Sequence, residues 1–88
     1  MSYTVVWKPR AERQLAAIWA STHDRAAVTK AADQMDADLK EQAVNAGESR
    51  EDLQSRIMFS LPLAIAFRVH PEDRRVEVLR VWVPKRPL

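Results

Sequence analysis

Past Gly47, the only glycine in the chain, the apolar residues stop recurring with the period of a helix and begin to alternate like a strand. Ahead of it, Ala11, Leu15, Ile18 and Trp19 recur at i, i+4, i+7 and i+8. That is one helical face, opened by Pro9 in the first turn, where a missing N–H costs nothing. Asp24 is a good N-cap for a second helix, whose stripe is Val28, Ala31, Ala32, Met35 and Leu39. The β-branched and aromatic "YTVVW" (3–7) reads as a strand before this hairpin. After a polar connector, "GESREDLQ" (47–54), come three strand candidates: "RIMFS" (56–60), "LAIAFRVH" (63–70) and "RVEVLRVWV" (75–83). Leu61-Pro62 and "PEDR" (71–74) are the turns between them. The expected fold is α+β, one domain over residues 1–88. In it an N-terminal strand and a helical hairpin pack on a C-terminal antiparallel meander. The pattern does not say which sheet edge takes strand 3–7.

Composition narrows the chemistry. With no cysteine, a disulfide framework, a thiol nucleophile and a thiolate metal site are excluded. His23 and His70 stand far apart, without metal-ligand spacing, so no metal or cofactor is expected. No apolar run approaches the roughly 20 residues of a membrane span, and the N-terminus lacks the layout of a signal peptide. A cytoplasmic protein without a membrane partner is expected. Charge is segregated: residues 11–55 hold five basic and nine acidic groups, whereas residues 56–88 hold seven basic and three acidic. A basic C-terminal third suits an anionic partner, or is a solvated face.

Strict alternation along a strand assigns faces. Leu63, Ile65, Phe67 and Val69 fall on one side, and Ala64, Ala66, Arg68 and His70 on the other. Leu79, Val81 and Val83 oppose Val78, Arg80 and Trp82, while Ile57 and Phe59 oppose Arg56, Met58 and Ser60. With helices on the apolar side, the uncovered side is expected to show Arg56, Arg68, Arg80 and Trp82 around a shallow trough at Ala64 and Ala66. Cations and an indole around a trough suit phosphate and base stacking, and equally serve as ordinary solubilising residues. Trp7 and Trp19 are expected in the core. His70 reads as a turn residue or, alternatively, an acid–base group. Glu48, Ser49 and Arg50 read as a polar connector.

Two segments, "YTVVWKPRAERQLAAIW" and "LAIAFRVHPEDRRVEVLRVWVPKR", together resemble the RelE/ParE superfamily of bacterial type II toxins. The resemblance spans nearly the whole chain. It implies a growth-inhibiting toxin held by a cognate antitoxin in a hetero-oligomer, the hairpin and sheet edges offering that partner an apolar, partly basic groove. RelE-like members cut messenger RNA in the ribosomal A site, and ParE-like members poison DNA gyrase. A ribosome-dependent ribonuclease of this kind would draw on Arg56, Arg80, Lys85 and Arg86, with Arg68, His70 and Trp82 contacting RNA or another target. Ala64, however, stands where RelE-like nucleases carry an arginine. Only Pro87 and Leu88 follow Arg86, where they place a tyrosine or histidine. Metal-free RNA cleavage needs a base, an acid and charge stabilisation, and arginine supplies only the last. The alternative implied is a relative that binds without cutting.

Overall fold

The computed structural model describes residues 2–42, 48–49 and 55–85, with the backbone alone at Gln42, Glu48 and Ser49. Its elements are β1 (Thr4–Trp7), α1 (Pro9–Ser21), α2 (Arg25–Gln42), β2 (Glu48–Ser49), β3 (Ser55–Ser60), β4 (Leu63–His70) and β5 (Arg75–Trp82). Local chemistry sets several of these boundaries. Pro9 opens α1, and the Asp24 carboxylate accepts the Ala27 N–H at 3.0 Å, capping α2. A 3-10 turn at Pro71–Asp73 joins β4 to β5 and ends with Arg74 in the left-handed region, φ 48°. Among the described residues, no helix is long and apolar enough to cross a membrane.

The strands form one mixed sheet in the order β1-β5-β4-β3-β2. The meander uses both edges of β4, which leaves an edge of β5 for β1, and β1 joins it in parallel, Val5 beside Val76 and Trp7 beside Val78. The connector contributes two residues of edge strand, Glu48 opposite Ile57 and Ser49 opposite Arg56, where a loop was expected. β1 ends before β5 does. Lys8 N–H makes its last backbone bond to Val78, and past it the Gln14 side chain of α1 accepts the Val81 N–H at 2.8 Å. A helix side chain thus closes the exposed edge that the short strand leaves.

The helical hairpin covers one face. All five residues of the α2 stripe are buried, meeting Leu63, Ile65, Phe67 and Val69 of β4 and Val76, Val78 and Val81 of β5. Three expectations need correction. A bulge between Ala66 and Phe67 leaves Leu79 without a partner, so Val78, not Leu79, faces the core opposite Phe67. In β3 the faces are reversed: Ser60 pairs with Leu63, Met58 with Ile65 and Arg56 with Phe67. Directly opposed residues share a face, so Arg56 and Met58 lie on the helix side and Ile57 and Phe59 on the other. Trp19 is not core but 42% exposed, its indole donating to Thr29 and stacked under the Arg25 guanidinium at 4.3 Å. Trp7 packs at the core margin and donates to Asp36 at 3.1 Å.

Candidate functional site

The sheet face away from the helices gathers most of the expected site residues. Across β3, β4, β5 and β1 one row reads Ser55, Arg68, Glu77 and Val6, and the next reads His70, Arg75 and Thr4. Ala66 opposes Arg80, and Ala64 lies between Phe59 and Trp82. Arg68, His70, Arg80 and Trp82 therefore share this face, as expected. Arg56 does not join them, because the register carries it to the helix side. Lys85 is exposed just beyond β5, and Arg86 lies outside the described residues. The expected trough is not open either: Ala64 has no exposed surface. The Arg80 guanidinium sits 5.2 Å from the Trp82 ring, a cation–π contact that orients both side chains.

At the turn end of this face Glu77 organises the charges. Its Oε1 lies 2.7 Å from His70 Nε2 and its Oε2 lies 3.5 Å from Lys8 Nζ. The His70 hydrogen bond, helped by the Lys8 charge and opposed by desolvation, holds the Glu77 carboxyl below its ordinary value. An ionised carboxylate only accepts, so His70 Nε2 carries the proton and donates. His70 is consequently a held side chain, not a free turn residue. The ionised Glu77 carboxylate can accept a proton but not donate one, and both its oxygens already hold partners, His70 and Lys8.

The sequence reading missed Glu77, Lys8 and Arg75 here. A glutamate alternating between valines in "RVEV" was the available signal, since a carboxylate on a basic sheet face needs partners. Replacing Glu77 with glutamine should lower stability by roughly 1–2 kcal/mol at neutral pH. A depressed carboxyl contributes stability above its unfolded value, and that contribution is lost as pH falls through the folded value. Urea unfolding should therefore find the wild-type advantage at pH 7 and little of it well below the reference value of 4.5. An equal gap at both pH values would contradict the assignment.

On the other side of the molecule a groove of about 820 Å³ runs between α1, α2 and β1. Its apolar floor includes Val5, Trp7, Leu15 and Val28, and Trp19 stands at its rim. The charged lining is Glu12, Asp33 and Asp36, so the groove is acidic where a partly basic one was expected. Lys40 offsets only Asp36, at 2.9 Å. β1 is the sheet's edge strand here, its second edge bordering the groove.

A hairpin on one face of a mixed sheet is a fold this chain shares with several solved structures. A chain of the toxin–antitoxin complex RelBE2 from Mycobacterium tuberculosis superposes with TM-score 0.74 at 20% identity, covering 96% of this chain and 93% of that one. The chromosomal ParDE system of P. aeruginosa gives 0.72 at 19%, covering 96% and 98%, and the isolated E. coli RelE toxin 0.70 at 16%, covering 98% and 88%. No curated protein sequence matches the chain. The family model of the ParE toxin of the type II toxin–antitoxin system, parDE, matches residues 5–86, and the chain belongs to that family.

Proposed function

We propose that this protein is the toxin of a type II pair, that it arrests growth by binding its target without cutting RNA, and that a cognate antitoxin silences it. The observation that carries the binding-only reading is the composition of the outer sheet face. On the resemblance, Ala64 takes the place of an arginine of RelE-like nucleases, while Arg56 is turned to the helix side and Glu77 is held ionised beside His70. Apart from the His70–Glu77 pair, which is engaged with itself and Lys8, cations and an indole remain, and these hold an anionic or aromatic surface without exchanging protons. The family match favours the ParE-like mode, so DNA gyrase is the target of this reading, with the ribosome as its rival.

The antitoxin segment in this reading lies in the groove between the helices. Its chemistry follows from the lining: an amphipathic stretch, apolar on the face that meets Val5, Leu15 and Val28, with Lys or Arg toward Glu12 and Asp33. The free edge of β1 alongside gives an extended continuation a backbone to pair with. Induced expression should stop growth in the cytoplasm of a bacterial host, and co-expression of the product of the adjacent gene should restore it. Undisturbed growth under strong induction would overturn the toxin reading.

A further inference from the structure

We propose that the turn end of the outer sheet face holds a phosphate-binding site built on Arg68 and Arg75. Arg68 lies directly across from Glu77, yet among the described residues neither it nor Arg75 makes an ion pair. The two Glu77 oxygens are directed elsewhere, one to His70 and one to Lys8. Each arginine also has its Nε buried with no hydrogen-bond partner. A guanidinium stays charged at any physiological pH, so these are two partly desolvated cations with no counter-ion among the described residues. Their buried Nε atoms are not the contact points. They place the base of each fork in a low-dielectric setting, where an anion on the outer Nη groups is held more strongly than in water.

Spacing selects the ligand. Arg68 pairs with Glu77 and His70 with Arg75, so the two arginines are diagonal neighbours, about 7–8 Å apart. Two planar forks at that separation converge on one tetrahedral oxyanion, which has an oxygen pair for each, whereas a carboxylate fills only one. Lys8 and Arg80 flank the pair with the same sign and draw an anion in. The site stands apart from the acidic groove and does not depend on the toxin reading. A phosphomonoester and the phosphodiester backbone of a nucleic acid share this chemistry.

Side-chain ¹⁵N NMR of the arginine Nε–Hε groups tests it, with inorganic phosphate as one probe and a short oligothymidylate lacking terminal phosphate as the other. Saturable shifts confined to Arg68 and Arg75 are expected. Arg68→Gln with Arg75→Gln should weaken binding at least tenfold, whereas Arg13→Gln on exposed α1 should leave it unchanged. Tighter binding of the oligonucleotide than of phosphate, with a salt slope that falls in the double variant, assigns the site to a backbone. Saturation by phosphate with no advantage for the oligonucleotide assigns it to a monoester. Linear shifts with both probes in the wild-type protein, or unaltered affinity in a folded double variant, would overturn the site. The wild-type titration stands even where the double variant fails to fold.

Discussion

Phe67→Ala should cost the fold about 3–5 kcal/mol, the largest loss expected of any single truncation. Phe67 has no exposed surface, sits mid-strand in β4, and is the largest fully buried side chain among the described residues. It faces Val78 across the bulge on one side and Arg56 on the other, beneath the α2 stripe. A single domain has only roughly 5–15 kcal/mol in all. For a chain of this size each kcal/mol moves the midpoint about 4–8 °C, so Tm should fall by more than about 12 °C. Leu79→Ala, at the half-buried bulge residue next door, should cost much less. Comparable losses at the two positions would mean that the bulge does not set the face of β5.

The second large effect is on binding. Trp19→Ala should weaken antitoxin affinity at least about 30-fold, or about 2 kcal/mol, the range of an aromatic anchor. The indole is 42% exposed at the groove rim and held in one orientation by Thr29 and by the Arg25 guanidinium. An ordered, exposed aromatic ring loses little entropy when a partner covers it. Because it lies outside the core, the same change should move unfolding by less than about 1 kcal/mol. Phe59→Ala makes the control: it is 56% exposed on the opposite face and should leave antitoxin titration unchanged. A reversed result, with Phe59 critical and Trp19 silent, would move the antitoxin to the sheet face.

The elements were legible because each carries its own period and punctuation. The α2 stripe, the Asp24 cap and the β4 alternation were read as they stand, because burial demands them locally. Faces fared worse where they depend on pairing. The two residues Leu61 and Pro62 make Ser60 oppose Leu63, and that register alone puts Arg56 on the helix side. Reading β3 by its more apolar parity, Ile57 and Phe59, reversed it. Along β5 and the residue after it, Val76 and Val78 have one parity and Val81 and Val83 the other. The string therefore contained the bulge, as a phase slip that strict alternation disregards. The place of β1 at the β5 edge is a tertiary outcome without a local signal.

The candidate site divides along the same line. Arg68 and His70 share a face because they alternate within β4, and the bulge at Leu79 puts Arg80 and Trp82 of β5 on that same face. The Lys8–Glu77–His70 cluster joins the end of β1, mid-β5 and the end of β4, and only the assembled sheet brings the three together. The acidic lining of the groove comes from Glu12 on α1 and Asp33 and Asp36 on α2, which face each other only once the hairpin closes over β1. Segment totals of charge pointed to the basic face and to an acidic middle, but not to which of its carboxylates line one groove.

Mapping RNA 5′ ends across the transcriptome after brief induction tests the central claim, binding without cutting, most directly. The account predicts growth arrest with no new cleavage ends in translated messages, accompanied by a DNA-damage response. New ends at codons in the ribosomal A site, appearing with the arrest and absent in a His70→Ala variant, would contradict it.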